Sequence, residues 1–232
     1  MYKINESLPR LKNNETLLKY IKIDRFIDLI SNNQLYFRRI SKFIDNEDGK
    51  IWSFNNSNDL KIINSFPLER RKAFFESYSI IRENSFAACF TFDTTNNQKF
   101  LDEYLNNNEG VIIKTTSDNL HNSIIDEKTI LSSVIKYDSL NGELGNHYAP
   151  LYYKLSSYKW ENEYRLIYVD EKLGNTQESF IKYKSEYGDG IKIKIDIIKL
   201  IEHIYYFGND FEIFKEKFIY LNIPISKYED LV

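Results

Sequence analysis

In 232 residues the chain carries 31 Lys and Arg against 34 Asp and Glu, a formal charge of −3, with 42% hydrophobic and 16% aromatic residues. That length and apolar share support one globular domain across residues 1–232, while the acidic balance excludes a general attraction to nucleic acid or anionic membrane. The single Cys89 excludes an internal disulfide and a multi-cysteine zinc site; with no run of ~18 apolar residues and no signal-peptide core, a cytoplasmic protein free of the membrane is expected.

Residues 1–14 are polar and read as a loose entry segment. TLLKYIKI (16–23) predicts a strand, and a helix follows from about Asp24, whose side chain can cap it, with Phe26, Ile27, Leu29 and Ile30 on one face and Asn32 and Asn33 at its end. QLYFRRI (34–40) predicts a second strand. The next turn holds Asp45, Glu47, Asp48 and Gly49; its spacing lacks the EF-hand pattern, so a solvated turn is expected rather than a calcium site. Residues 57–84 have helical periodicity, with Pro67 suited to a helix start. SFAACFTFD (85–93) is a near-continuous apolar run, as a central strand covered on both faces requires, and Cys89 within it reads as a buried structural thiol. NQKFLDEYLNN predicts a helix, VIIKTT a strand, DNLHNSII a short helix capped by Ser117 or Asp118, and residues 130–138 another strand.

His121 reads as a surface helix residue, since His147 and His203 show no metal-ligand spacing to it. A loop through Asn141, Gly142 and Gly145 follows. Residues 171–189 are a polar excursion; GIKIKID and IEHIYYFG then predict strands, DFEIFKEKFIYLN an amphipathic helix and IPISKYE a closing edge strand. About eight or nine strands and four or five helices, without regular alternation, make an α+β fold with mixed or antiparallel sheets and flanking helices. None of the 8 glycines forms a Rossmann or P-loop fingerprint, and no nucleophile-elbow motif is present.

The densest stretch is YKWENEYRLIYVD (158–170). Read as a strand, it places Trp160, Asn162, Tyr164, Leu166 and Tyr168 on one face and Glu161, Glu163, Arg165 and Ile167 on the other. The second face is either solvated or lines a cleft, where two carboxylates about 7 Å apart along a strand can divide work, one held by Arg165 and the other free to take a proton or stabilise a cation.

The segments LLKYIKIDRFIDLISNNQLYF, SKFIDNEDG, FAACFTF, YLNNNEGVIIKTT and KWENEYRLI resemble, in order and over roughly residues 16–220, a bacterial family known as domain of unknown function number twenty-nine seventy-one. The matching positions are Lys19 and Tyr20; Leu35, Tyr36 and Phe37; residues 45–49; Cys89 and Phe90; and Glu161, Glu163 and Arg165. More remotely, that family is similar to the ADP-ribosyltransferase fold of bacterial toxins. The resemblance implies an ADP-ribosyltransferase-like fold, NAD as substrate without a metal, an ADP-ribosyltransferase or, with water as acceptor, an NAD glycohydrolase, and a toxin or phage-defence setting. A macromolecular acceptor, protein or nucleic acid, and a defence-system partner go with it. Cleaving the glycosidic bond of NAD develops an oxocarbenium ion on the ribose, which a carboxylate stabilises. By the resemblance Glu163 takes that part and Glu161 orients or deprotonates the acceptor. Arg38 or Arg39 would neutralise the diphosphate, and Tyr20 and Tyr36 would stack on the nicotinamide.

Two other readings stand beside it. Asp45, Glu47 and Asp48 together with Glu161 and Glu163 could hold Mg²⁺ in a nuclease, or Glu161, Glu163 and Arg165 could form a salt-bridge ladder in a non-catalytic binding module. Burial discriminates among the three. A Tyr-lined hollow over Glu163 favours NAD chemistry, convergence of the pair with the 45–48 loop favours the nuclease, and a flat exposed strand favours the module.

Overall fold

Strand β1 (Tyr2–Ile4) opens the chain, so the entry segment is not wholly loose: β1 lies parallel to β6 (Ile130–Val134). In this computed structural model the described residues are 2–4, 14–50, 58–92, 97–105, 109–137, 148–170 and 184–231. The loop through Asn141, Gly142 and Gly145, His147, and residues 171–183 of the polar excursion lie outside them.

Strand β2 (Thr16–Lys22) leads into helix α1 (Ile23–Asn32), where Phe26, Leu29 and Ile30 repeat at helical spacing and are buried. The residue preceding α1 is Lys22, without a side-chain cap; Asp24 sits inside the first turn, where its charge suits the helix N-terminus. Asn33 ends the helix in the left-handed conformation, which asparagine tolerates, and returns the chain as β3 (Gln34–Arg39). Helices α2 (Asn58–Asn64) and α3 (Leu68–Glu83), the latter begun by Pro67, precede β4 (Ser85–Thr91). Helix α4 (Asn97–Phe100) passes into a π-helical turn at Leu101–Leu105, then come β5 (Gly110–Thr116) and α5 (Ser117–Ser123). Helix α5 is capped neither by Ser117 nor by Asp118: the Thr116 hydroxyl accepts from the Asn119 amide. Short strands β7 (Lys136–Tyr137) and β8 (Tyr153–Lys154) pair in parallel, and β9 (Glu163–Val169) follows. The chain closes through β10 (Gly190–Lys194), α6 (Ile197–Leu200), β11 (His203–Phe207), α7 (Phe211–Phe218) and β12 (Ile225–Lys227).

Ten of these strands form one mixed, mostly antiparallel sheet, in the order β1-β6-β9-β4-β2-β5-β11-β12, with β3 attached to β4 and β10 to β3. The α+β expectation holds. One face carries the larger apolar core, where Phe26 of α1 and Phe214 and Phe218 of α7 pack over Leu17, Phe37, Phe86, Phe90, Val111 and Leu166. The opposite face is covered by α3, the segment around Leu151 and Tyr152, and the π-helical turn.

The central strand β4 is paired with β9 along its whole length on one side, from Ser85 opposite Val169 to Thr91 opposite Glu163. Its other side is shared: β3 pairs with Phe86 and Ala87, β2 only with Thr91. The sheet therefore forks beside Cys89, and in the fork Lys19 Nζ donates to the Cys89 carbonyl at 3.0 Å.

His121 lies on helix α5 but is half-buried rather than freely exposed. Its Nε2 lies 2.7 Å from the Tyr164 hydroxyl, which donates to Ser132 Oγ. Burial pulls the His121 pKa down to about 4, only partly offset by the charge of Asp118. A histidine whose folded pKa is depressed contributes stability that is present above its unfolded value of 6.5 and lost as pH falls toward 4. Urea unfolding of wild type is expected to weaken over that window by on the order of 2 kcal/mol more than that of His121→Gln. Parallel pH curves for the two proteins would remove this linkage.

Candidate functional site

Only part of the 158–170 stretch is a strand. Residues Ser156–Glu161 form a 3-10 helix, and Asn162, at φ 41° and ψ 55°, swings the chain through the left-handed region into β9. From Glu163 on, alternation holds: Tyr164 and Leu166 enter the larger core while Glu163, Arg165 and Ile167 face the other layer. Glu161 is held by the preceding 3-10 turn, and both glutamates reach the same ammonium, so the strand spacing of about 7 Å does not apply to them.

The solvated-face expectation fails for all three charged residues: Glu161, Glu163 and Arg165 are 5%, 2% and 0% exposed. Arg165 makes a fork-to-fork pair with Asp48, at 2.8 and 2.7 Å, and donates from Nε to Glu163 Oε1 at 2.6 Å and from its terminal nitrogens to Glu163 Oε2 and the Leu151 carbonyl. Lys154 lies among the acids, its Nζ 2.6 Å from Glu161, 3.4 Å from Glu163 and 3.8 Å from Asp48. The turn holding Asp48 is solvated only in part, with Asn46 exposed and Asp45 and Glu47 half-buried. Asp48 is buried, Arg82 donates to the carbonyls of Asp48 and Asn46, and Gly49 takes a φ of +73° at a place where a Cβ would meet Ile40 Cγ2 at 3.1 Å.

Within the ion-paired set, three carboxylates against two cations leave one negative charge in excess, with Lys19 the next cation acting on Glu163 through space, and burial makes that excess costly. Glu161 resolves it. Its own burial, then the charge of Glu163, push its pKa up to about 7 against the pull of Lys154. Burial opposes ionisation of Glu163 too, but the charges of Arg165 and Lys154 outweigh it and hold that carboxyl well below the usual range, with the Cys89 thiol adding a hydrogen bond. Lys154 is held charged in the same way, since the surrounding Glu163, Asp48 and Glu161 overcome its desolvation. Cys89 is half-buried rather than wholly enclosed; desolvation of its thiol and then Glu163 raise its pKa, which works against a nucleophilic role.

The remaining predicted residues divide. Tyr20 stacks on Phe100 at 4.8 Å, and Phe100 packs on Trp160, the residue before Glu161, at 5.0 Å; Tyr20 thus joins the site's aromatic flank through Phe100. Tyr36, Arg38 and Arg39 lie elsewhere. Arg38 is opposite Ala87, four residues along β4 from the Thr91 that faces Glu163, or about 13 Å of strand. Arg39 is buried and spent on backbone, donating to the carbonyls of Gly188, Ser185 and Glu83 while stacking over Phe86. The Tyr36 ring lies under the Arg25 guanidinium, and its hydroxyl donates to the Asp189 carbonyl.

Two residues escaped the sequence reading. Lys154 had one signal, a lone cation inside the apolar run APLYYKL. Tyr104, on the π-helical turn, had none: the residue is 41% exposed, yet burial of its hydroxyl and then the Glu161 charge raise its pKa.

Convergence of the 45–48 loop with the glutamate pair is the arrangement that favoured a nuclease. The space between these carboxylates, however, is taken by Lys154 and Arg165, so side-chain cations stand where a metal would. Among the described residues, no group of three or more His, Cys, Asp or Glu side chains is arranged to hold a metal ion. Nor, among them, is any helix long and apolar enough to cross a membrane. No family model, curated protein or solved structure matches the chain.

Proposed function

We propose that the chain cleaves the glycosidic bond of NAD and passes ADP-ribose to a macromolecular acceptor or to water. The observation that carries this reading is the split of two adjacent carboxyls, Glu163 held ionised and Glu161 poised at about 7, beside a fork in the sheet. A pair pushed apart in this way supplies both requirements of the reaction. The C1′–N bond breaks with its electron pair leaving on nicotinamide, which departs neutral and needs no acid. The cation left on the ribose is stabilised through space by the fixed negative charge of Glu163, which is enclosed and held by Arg165 and so requires no reorganisation. The acceptor hydroxyl or water attacks C1′, and its proton passes to Glu161, a base whose pKa is matched to neutral pH.

Because Glu161 works deprotonated, NAD turnover is expected to rise with pH through a single ionisation near 7 and to fall about tenfold per unit below it. Purified protein supplied with NAD, lysate and nucleic acid between pH 5.5 and 8.5 gives the test. A rate that falls as pH rises through 7 would assign Glu161 the opposite, acid role. Absence of NAD consumption under every condition would end the reading.

A second reading rests on the same ions. Asp48, Glu163 and Arg165 are completely enclosed, as a structural ion network in a non-catalytic module would be. The raised pKa of the less enclosed Glu161, next to the half-exposed Trp160, favours the first.

A further inference from the structure

The flank beside Glu161 is built from residues that neither a core nor an ordinary surface calls for. Phe100, almost wholly buried, is its floor. Tyr20 stacks on it at 10° between planes, Tyr104 packs on it at 5.8 Å and 25°, and Trp160 meets it at 5.0 Å and 57°. Tyr104 and Trp160 thus leave the floor at different inclinations, with Tyr104 and the half-buried Trp160 reaching the surface. Tyr104 comes from a π-helical turn, a costly backbone irregularity that concentrates at functional sites. Lys99, exposed and just ahead of the turn, places its Nζ 4.1 Å from the Trp160 ring centroid. A ring face occupied by the ammonium of an exposed lysine is open to exchange: a flat ring can take the face while the cation moves to a neighbouring anion.

We propose that this flank binds the nicotinamide mononucleotide half of the substrate, the nicotinamide ring stacking on Trp160 beside Tyr104 and the adjoining phosphate pairing with Lys99. The proposal rests on the NAD reading for its choice of ring. Trp160 and Glu161 are consecutive in the same 3-10 turn, so a heterocycle stacked on Trp160 is the one whose glycosidic bond is within reach of the carboxyl pair. Lys99 also fills the part that Arg38 and Arg39 do not play. Recognition of one half implies that the adenine half of the dinucleotide is dispensable for binding.

Calorimetric titration separates this proposal from the catalytic one, because it needs no turnover. The probes are NAD, nicotinamide mononucleotide, nicotinamide riboside and ADP-ribose, titrated into Glu161→Gln, which retains the flank. The mononucleotide is expected to bind within about threefold of NAD, and the riboside and ADP-ribose at least tenfold more weakly. Lys99→Glu is expected to weaken the mononucleotide about tenfold and leave the riboside unchanged; Trp160→Leu weakens both about tenfold. Lys99→Glu alters an exposed side chain, so it keeps the test decisive should Trp160→Leu fail to fold. Binding of ADP-ribose as tightly as NAD, equal affinity for mononucleotide and riboside, an unchanged Lys99→Glu, or no binding of any probe each overturns the proposal. Mononucleotide binding without NAD cleavage by wild type would sustain the flank and remove the catalytic reading instead.

Discussion

Arg165→Met is expected to cost the protein about 3–5 kcal/mol of stability, the usual result of removing one partner from a buried ion pair. The guanidinium is fully enclosed and donates to Asp48, to Glu163 and to the Leu151 carbonyl. Methionine fills similar volume but leaves Asp48 and Glu163 buried, with Lys154 as the nearest cation. The cost comes from those stranded acids rather than from the pair's own strength, so a double variant, Arg165→Met with Asp48→Leu, is expected to recover part of the loss. Wild type should show the same dependence in acid. Glu163, with a folded pKa below its ordinary 4.5, contributes stability that is present above that value and lost as pH falls further. Urea unfolding at neutral pH measures the first effect. A loss under about 1 kcal/mol for Arg165→Met would mean that water reaches the cluster and that it is not the enclosed network described.

Glu161→Gln is expected to reduce NAD turnover by roughly 10²-fold or more while leaving the fold intact. It is a cleaner probe than Glu163→Gln, which would also deprive Arg165 of a partner. Glutamine keeps the size of the side chain and can still meet Lys154 through its carbonyl oxygen, but it cannot accept the acceptor's proton. Stability should move the other way. A carboxyl whose folded pKa is raised from 4.5 to about 7 contributes stability that is full below 4.5 and is lost as pH rises through 7. At pH 8 the glutamine variant is therefore expected to be as stable as wild type or more so. The two measurements are read together. Turnover that survives the substitution removes Glu161 from the chemistry, and a variant clearly less stable than wild type at pH 8 contradicts the raised pKa on which its role as base depends.

Periodicity in the sequence was enough for the fold class and most elements, because side-chain alternation and helical spacing are local properties, though not for residues 158–162 or the break between β6 and β7. TLLKYIK, QLYFRR, SFAACFT and GIKIK are strands as their patterns require, and α1 ends at Asn33 where a left-handed residue is needed. The pairing of Glu163 with Arg165 was legible for the same reason: two residues apart on a strand, they share a face. What surrounds that pair was not legible. Asp48 lies 117 positions from Arg165 and read as a solvated turn; only the packing of that turn under Arg82 carries its carboxylate inside. Arg39 read as a phosphate ligand, yet the 185–188 segment folded over it and took its donors. Glu161 left the strand because one asparagine adopted a positive φ, and its proton affinity follows first from its burial and then from the charge of Glu163 against that of Lys154. Charge in a local pattern is thus a property of the sequence. The burial, the partners and the protonation of that charge belong to tertiary structure, since desolvation and Coulomb energy depend on neighbours in space that sequence order does not reveal.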